Sequence, residues 1–460
     1  MEQPDYHSTV QATGKRRWLY PLVRKDTWYK YRNILSYFLL AFLFSAPFIK
    51  INGHQFILFN IIERKFILFG QVFWPQDFFI VVMAILAFIV CIVLFTIVFG
   101  RIFCGWICPQ TIFLEMVFRK IEIWIEGEPA ARKKLDDGPW TKDKIQKKTI
   151  KHFLYLLISF AISNTFLAYI IGSDELFTII TEPIVNHWVG LTSLIIFTFV
   201  FYLVFSQLRE LVCIVACPYG RLQGVLLDKN SLVVAYNYLR GEPRGKIIKH
   251  PNESTPILGD CVDCNLCVAV CPTGIDIREG TQLECVNCTA CIDACNQVME
   301  KTHRPKNLIG FYSDEMIKNG TSPTFTTTMK AYSFIIVLIF SVLIYFIATR
   351  KDVGITVLRA SGMLYQVLPD GYVSNLYNAE LVNKTSETIK IEIVPEDART
   401  RIKWIQPFDK LDKESTQKVT FFVIVPQKDI SKTKTELTLL VKQNGTVIDR
   451  IKTNFLGPVN

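Results

Sequence analysis

The sequence predicts a multidomain membrane protein: an α-helical transmembrane bundle, a cysteine-rich α+β domain and a C-terminal all-β domain. Half of the 460 residues are hydrophobic and only 20% are charged, a balance too apolar for an ordinary soluble protein. All 13 cysteines lie at or before Cys295. The cysteine-free C-terminal part alternates apolar and polar residues, as strands do.

The basic character of the chain fits a membrane protein better than a nucleic-acid-binding one. The net charge is +10, and the excess of Lys and Arg lies beside the apolar blocks. A nucleic-acid interface would gather that excess on one soluble face, so we expect no nucleic acid partner. Residues 1–32 mix basic and aromatic residues without a signal-peptide cleavage site, which predicts a cytoplasmic basic N-terminal tail.

The apolar blocks that follow predict about five transmembrane helices, since a bilayer crossing needs about 20 apolar residues. The predicted spans are 33–49, 78–100, 149–171, 188–208 and 331–348. The first four make up a membrane domain, residues 33–208. We expect a multi-pass protein of the bacterial inner (cytoplasmic) membrane, in contact with the lipid bilayer.

Loop charges predict which side of the membrane each connection occupies. Residues 101–148 are rich in Lys and Arg and should form a cytoplasmic basic loop. Within them, residues 112–125 have the pattern of an amphipathic helix resting on the inner leaflet. Residues 209–330 are then cytoplasmic, and residues 349–460 are periplasmic.

The strongest chemical signal is a pair of cysteine runs at about residues 250–305. Each run has the spacing C-x2-C-x2-C-x3-C. Three cysteines of one run can hold three corners of an iron–sulfur cube, and the fourth ligand comes from the other run. This predicts a ferredoxin domain with two [4Fe-4S] clusters, one held by Cys261, Cys264, Cys267 and Cys295, the other by Cys285, Cys288, Cys291 and Cys271.

Two zinc sites are the alternative to this assignment, because four thiolates also suit tetrahedral zinc. The doubled spacing favours the iron–sulfur clusters. Cys295 is followed by Asn296 rather than by proline, which departs from the simplest ferredoxin pattern without removing a ligand.

A second cysteine motif, C-x3-C-P, occurs twice, each time just after a predicted span. It places Cys104 with Cys108 and Cys213 with Cys217, and a proline follows each pair. Cysteines four apart share a helical face, and the proline should end or kink the helix. Four thiols could therefore meet near the inner membrane surface, either to bind Cu(I) or an iron–sulfur centre or to cycle between dithiol and disulfide.

The remaining cysteine and histidines give weaker signals. Cys91 stands alone in an apolar run and is interpreted as a small hydrophobic residue. His54 and His187 fall on the predicted outer side and could contact a metal ion, although isolated surface histidines are the simpler interpretation. No nucleotide-binding fingerprint occurs in the sequence.

The C-terminal region predicts a β-sandwich of roughly 100 residues. Residues 388–393 alternate strictly between polar and apolar, and residues 418–425 are rich in β-branched and aromatic residues. Residues 437–441 lead through Asn444-Gly445 into a second apolar run, which is a strong hairpin signal.

Several of these segments resemble the FixG/CcoG/RdxA family, accessory factors for cbb3-type cytochrome c oxidase. The segments are residues 100–111, 240–245 and 291–299, together with the paired cysteine runs. The resemblance implies an immunoglobulin-like C-terminal domain. It also implies reduction of Cu(II) to Cu(I) for the copper site of the oxidase.

The leading hypothesis is a one-electron relay that acts as a cupric reductase, with Cys104, Cys108, Cys213 and Cys217 as the copper or redox thiols. A cytoplasmic donor or the quinol pool would supply the electrons, and the outer β domain would dock the oxidase or a copper chaperone. One alternative is a general membrane electron relay from quinol to a periplasmic reductase. The other is a non-catalytic assembly scaffold whose clusters are structural.

Overall fold

The structure is a computed structural model. It describes residues 16–458 apart from 52, 61–64, 74–76, 184–186, 248–257, 321–325, 361, 363, 386, 407, 409, 414, 431 and 444. Residues 1–15 of the predicted N-terminal tail lie outside the described residues, and so does Asn444 of the predicted hairpin turn.

The first part of the chain, up to Ala348, is mainly helical, and the part that follows is mainly β-strand. The helices are α1 Thr27–Ser45, α2 Phe78–Phe99, α3 Ile102–Trp106, α4 Pro109–Ile112, α5 Arg119–Glu126, α6 Pro129–Asp137, α7 Lys142–Ile171, α8 Ser173–Thr181, α9 Trp188–Leu203, α10 Pro218–Leu226, α11 Tyr238–Gly241, α12 Leu266–Ala269, α13 Ala290–Lys301, α14 Asp314–Asn319 and α15 Thr327–Ala348. Wider π-helical turns occupy Phe113–Phe118, Val204–Leu208 and Val212–Ala216. The strands are β1 Lys50–Ile51, β2 His54–Gln55, β3 Ile57–Asn60, β4 Lys65–Leu68, β5 Gln71–Phe73, β6 Val233–Tyr236, β7 Ile309–Tyr312, β8 Val353–Arg359, β9 Gln366–Leu368, β10 Tyr372–Asn383, β11 Ile389–Pro395, β12 Arg401–Trp404, β13 Lys410–Leu411, β14 Thr416–Pro426, β15 Lys434–Gln443 and β16 Thr446–Leu456.

The chain divides into two compact units. The helical unit comprises Met1–Lys50, Gln55–Glu63 and Val81–Leu343. The β unit comprises Ile51–His54, Arg64–Ile80 and Ile344–Asn460.

Among the described residues, five helical stretches are long and apolar enough to cross a membrane, and their set differs from the prediction in one member. Four of them coincide with predicted spans: Phe79–Phe99, Lys142–Ile171, Trp188–Leu208 and Thr327–Ala348. The predicted span 33–49 is not among them, because α1 begins at Thr27 and its first turns include Lys30 and Arg32. The fifth stretch is Ile102–Glu126, with a mean hydropathy of 1.2, inside the predicted basic loop.

The expectation of a surface amphipathic helix at residues 112–125 is wrong in one respect, because the charged side of that segment faces the protein interior. Arg119, Glu122 and Glu126 are buried, whereas Trp124 is 79% exposed. Glu122 accepts hydrogen bonds from Arg132 at 2.8 Å and from both terminal nitrogens of Arg209 at 2.8 and 3.0 Å. The charges are tolerated inside because each meets an opposite charge.

An aromatic core joins the helices of the helical unit. The Phe118 ring stacks on Phe205 with centroids 4.5 Å apart and meets the edge of Tyr155 at 4.7 Å. Tyr155 also donates a hydrogen bond to the Phe118 carbonyl oxygen at 3.2 Å. This core fixes α7 and the Val204–Leu208 turn against the stretch that carries the first C-x3-C-P motif.

The cysteine-rich domain is built on the antiparallel pair β6–β7 with α12 and α13 packed against each other. The Asp293 carboxylate, on α13, accepts hydrogen bonds from the backbone N–H groups of Trp28 and Tyr29 at 3.1 and 2.8 Å. These are the first free N–H groups of α1, so the carboxylate caps that helix and complements its dipole. The segment before the membrane domain is thereby anchored to the cysteine-rich domain.

The β unit contains a sandwich of two antiparallel sheets. One sheet has the order β12-β14-β10-β8, with β9 also paired to β10, and the other has the order β13-β11-β15-β16. Ile389, Ile391 and Ile393 of β11 point into the core, as the alternation predicts. Gln443 pairs with Thr446 across the predicted hairpin turn, where Gly445 has a φ of +83°. The predicted all-β C-terminal domain is confirmed.

Candidate functional site

The eight cysteines of the paired runs surround two neighbouring cavities. One cavity is lined by Cys261, Cys264, Cys267 and Cys295. The other is lined by Cys271, Cys285, Cys288 and Cys291, and also by Cys267. Each cavity therefore holds three cysteines of one run and the last cysteine of the other, which is the crossed arrangement expected of two cubane clusters.

The donor chemistry of these cavities fits a [4Fe-4S] cluster. The remaining walls are mostly apolar, including Val234, Ile275 and Ile277 in one cavity and Leu308 and Ile309 in the other. Among the residues that the structure describes, no group of three or more His, Cys, Asp or Glu side chains converges closely enough to hold a single metal ion. The four cysteines around each cavity, three from one run and one from the other, match the ligand set of a [4Fe-4S] cluster.

The two ligand loops share an unusual backbone. Asp263 and Asn265 flank Cys264 with φ angles of +52° and +58°, and Asn287 and Thr289 flank Cys288 with φ angles of +51° and +65°. Left-handed residues on either side of a cysteine bend the chain tightly around it. The loop geometry repeats because the ligand spacing repeats.

Burial makes these thiols hold their protons until a metal replaces them. It raises the pKa of Cys267, Cys285 and Cys295 to about 12. Burial also raises the pKa of Cys288 to about 11, against the opposing effect of the Arg32 charge. Metal ligation needs the thiolate, so cluster loading is coupled to proton release.

The two C-x3-C-P motifs have the same local structure. The backbone N–H of Cys108 donates to the Phe103 carbonyl at 2.9 Å, and that of Cys217 donates to the Val212 carbonyl at 2.8 Å. Each proline then starts a new helix, α4 or α10, with its cysteine as the N-cap. The predicted helix break is confirmed, and its reason is that proline has no N–H to continue the first helix but suits the first turn of the next.

The structure places the four thiols of the two motifs as neighbours. Burial, and then the nearby thiols of Cys108, Cys104 and Cys217, raise the pKa of Cys213 to about 12. All four are free thiols. We refer to Cys104, Cys108, Cys213 and Cys217 as the thiol quartet.

The thiol quartet touches the ligand set of the second cluster. Cys104 forms one apolar cluster with Val286 and Cys288, and Cys104 and Cys288 are each 9% exposed. The Trp106 indole N–H donates to the Asn287 carbonyl at 3.2 Å, next to the same cysteine. The ligand loop around Cys288 is therefore docked directly on the first C-x3-C-P motif.

Polar residues that the sequence analysis did not single out hold this junction together. Asn287 donates to the Phe99 carbonyl at 3.2 Å and accepts from the Val234 N–H at 3.2 Å. Arg101 donates to the side chain of Gln223 and to the Leu283 carbonyl. Gln223 also accepts from the Cys104 thiol at 3.6 Å. In the sequence, the only signal for these hydrogen bonds is the polar Asn287 between two ligand cysteines. No sequence pattern indicates the role of Gln223.

The other cysteine and histidines do not join this site. Cys91 lies within α2 and is half-buried. The His187 Nε2 atom pairs with the Glu182 carboxylate at 2.7 Å. Neither His54 nor His187 belongs to a metal-binding group among the described residues.

We expect Gly105→Ala to disturb the junction between the thiol quartet and the second ligand loop. A Cβ atom at Gly105 would lie 2.4 Å from the Val286 carbonyl oxygen and 3.1 Å from the Cys288 Cα atom, which are backbone atoms with little freedom to move. Such overpacking costs about 1–3 kcal/mol in the free energy of unfolding. Thermal unfolding of the detergent-purified protein measures it.

The matched control is Gly190→Ala. A Cβ atom there would lie 3.7 Å from the Ile179 side chain, an ordinary contact. Equal unfolding temperatures for the two variants would contradict the close contact between Gly105 and the backbone of Val286 and Cys288.

Comparison with known proteins agrees with this organisation. Residues 208–314 match the 4Fe-4S dicluster domain family, and residues 81–128 match a 4Fe-4S binding domain family. Residues 343–458 match the IG-like fold found at the C-terminus of FixG.

Full-length relatives match most of the chain. The nitrogen fixation protein FixG of Rhizobium meliloti is 33% identical over 419 residues, covering 83% of this chain and 80% of the relative. Protein RdxA of Cereibacter sphaeroides is 35% identical over 346 residues, covering 72% and 71%. Protein RdxB of the same organism is 33% identical over 416 residues, covering 85% and 84%. With membrane-length helices, a 4Fe-4S dicluster domain and an IG-like C-terminal domain, the chain belongs to the FixG/RdxA family of membrane iron–sulfur proteins.

Proposed function

We propose that this protein carries electrons from its dicluster domain to the thiol quartet, where Cu(II) is reduced to Cu(I) for the assembly of a cbb3-type cytochrome c oxidase. The observation that carries the proposal is the packing of Cys104 against Cys288, a predicted ligand of the second cluster. The two clusters supply one-electron transfer when bound. This packing places the thiol quartet next to a ligand of the second cluster, from which an electron would pass to copper.

The thiol quartet suits copper as its substrate. Thiolates are soft ligands that bind Cu(I) better than Cu(II), so they would retain the product of the reduction. Each Cu(II) takes up one electron and becomes Cu(I), while the thiols that bind it release protons to the surroundings. Burial of Cys213 disfavours a free thiolate, so the site stays protonated until a metal arrives.

The biological setting follows from the family. The family resemblance implies a role in the assembly of cbb3-type oxidase, and this chain matches the dicluster and FixG C-terminal domain families. We propose the inner membrane as its location, with the dicluster domain in the cytoplasm and the β sandwich in the periplasm. There the sandwich would dock the oxidase or a copper chaperone.

Copper reduction by the dithionite-reduced protein tests the proposal. In anaerobic stopped-flow mixing with Cu(II), we expect cluster bleaching and Cu(I) capture by a chromogenic chelator to proceed together. Cys104→Ser/Cys108→Ser should keep its clusters and slow the reaction at least about tenfold, a loss of about 1.4 kcal/mol in transition-state stabilisation. Cys91→Ser is the matched control, because Cys91 stands apart from the quartet, and it should react like the wild type.

If the double variant reduces copper as fast as the wild type, the quartet is not the copper site. The electron-transfer role would then need another acceptor.

A second candidate is a relay in which the quartet cycles between dithiol and disulfide and passes electrons to a periplasmic reductase. It is favoured by the position of the free Cys213 thiol near the free thiols of Cys104, Cys108 and Cys217. Forming one disulfide releases two electrons and two protons. Thiol counting after ferricyanide oxidation distinguishes the two, since only this candidate loses free thiols without added copper.

A further inference from the structure

A groove between α7 and α9 stands apart from the iron–sulfur and thiol site. The aromatic rings of Trp140, Phe153 and Phe199 line this open groove. Its polar groups are His152, Tyr202 and Lys148. Both helices belong to stretches that are long and apolar enough to cross a membrane.

The polar groups of the groove form a neutral hydrogen-bonding pair. The Tyr202 hydroxyl and the His152 Nδ1 atom lie 2.9 Å apart and share a hydrogen bond. Both side chains are half-buried. The second ring nitrogen, Nε2, has no hydrogen-bond partner among the described residues, so the pair has one group left to bind a ligand.

The lysines around the groove already have hydrogen-bond or ion-pair partners. Lys148 lies 2.9 Å from the Glu126 carboxylate and also pairs with Asp136. Lys144, beside Trp140, donates to the backbone carbonyls of Asp136 and Gly138 at 2.9 and 2.7 Å. An anionic phospholipid headgroup would have to displace these partners in order to bind the lysines.

The groove therefore selects a flat, neutral, lipid-soluble molecule with oxygen atoms at its edge. Aromatic walls suit a planar ring, and an imidazole–phenol pair can donate to a carbonyl oxygen or accept from a hydroxyl. We propose that this groove binds the headgroup of a membrane quinone or hydroquinone, with His152 and Tyr202 holding one ring oxygen. The proposal that a quinone binds depends only on the groove. A role for the groove as the site of electron donation rests also on the proposed function.

The groove also connects to the core that supports the first C-x3-C-P motif. The His152 ring lies 6.2 Å from Tyr155, and Tyr155 contacts Phe118 at 4.7 Å. Phe118 in turn stacks on Phe205, which lies 5.7 Å from Phe113, close behind Cys108 in the chain. A continuous packed path thus links the groove to the thiol-bearing stretch.

Binding of decylubiquinone to the full-length protein in zwitterionic lipid nanodiscs tests the proposal. We expect saturable binding above the partition into empty nanodiscs. Tyr202→Phe and His152→Phe should each weaken it about tenfold, as expected for one lost hydrogen bond. The matched controls are Tyr169→Phe, whose hydroxyl bonds to the Leu43 carbonyl at 2.9 Å elsewhere on α7, and His187→Phe.

Three results would overturn the proposal. One is the absence of saturable binding to the wild type, and another is wild-type affinity in both groove variants when their iron content is unchanged. The third is displacement of the quinone by phosphatidylglycerol in anionic nanodiscs, which would identify the groove as a phospholipid site. Copper reduction after dithionite treatment needs no natural donor, so failure of that assay and failure of quinone binding are separate results.

Discussion

Cys295→Ala is expected to remove the cluster held by Cys261, Cys264 and Cys267 and to leave the other cluster in place. Cys295 lines the cavity of those three residues, although in the sequence it follows Cys291. Loss of one of four thiolates leaves a cubane cluster without a protein ligand at one corner. The purified variant should contain about half the iron of the wild type, measured by iron analysis under anaerobic conditions.

Spectroscopy of the reduced variants identifies which cluster is lost. The electron paramagnetic resonance spectrum of Cys295→Ala should match that of Cys264→Ala and differ from that of Cys288→Ala. Cys271→Ala should give the reverse result, because Cys271 lines the cavity of the second set. If Cys295→Ala instead matches Cys288→Ala, each run holds its own cluster and the crossed assignment is wrong.

The parts of the site that the sequence predicts are those set by short-range spacing. The ligand runs specify their loops because three cysteines separated by two residues can only wrap one centre. The break at each C-x3-C-P motif follows from the chemistry of proline, which acts on its immediate neighbours. The hairpin at Gly445 has the same origin, since a turn needs only two residues with suitable φ angles.

The parts that the sequence does not predict depend on partners far along the chain. The contact between Cys104 and Cys288 joins two motifs that each look complete alone. The charges of α5 give the pattern of a solvent-facing helix, because nothing near them in the sequence shows that Arg132 and Arg209 will meet Glu122 in the interior. The same long-range pairing allows Glu122 to be buried within Ile102–Glu126, a stretch long and apolar enough to cross a membrane.

Glu122→Gln is expected to lower the free energy of unfolding by about 3–5 kcal/mol, because it breaks a buried ion network from its centre. The Glu122 side chain is 4% exposed, and those of its partners Arg132 and Arg209 are 1% and 7% exposed. Glutamine keeps the shape but removes the charge, which leaves the Arg132 guanidinium without its ion-pair partner and Arg209 with only the Glu210 carboxylate at 3.6 Å. Thermal unfolding of the detergent-purified protein should show a clear loss of stability.

The effect should reach the thiol quartet, because Arg209 lies just before the second motif and has a strained φ of +51°. The Gln110 side chain, just after the first motif, donates to the Arg209 carbonyl at 3.3 Å, so this residue bridges the two halves of the quartet. We therefore expect faster alkylation of Cys213 and Cys217 in Glu122→Gln. The matched control is Glu128→Gln, an exposed glutamate on the following turn, which should unfold and react like the wild type. Wild-type stability of Glu122→Gln would mean that water, rather than the carboxylate, compensates the two arginines.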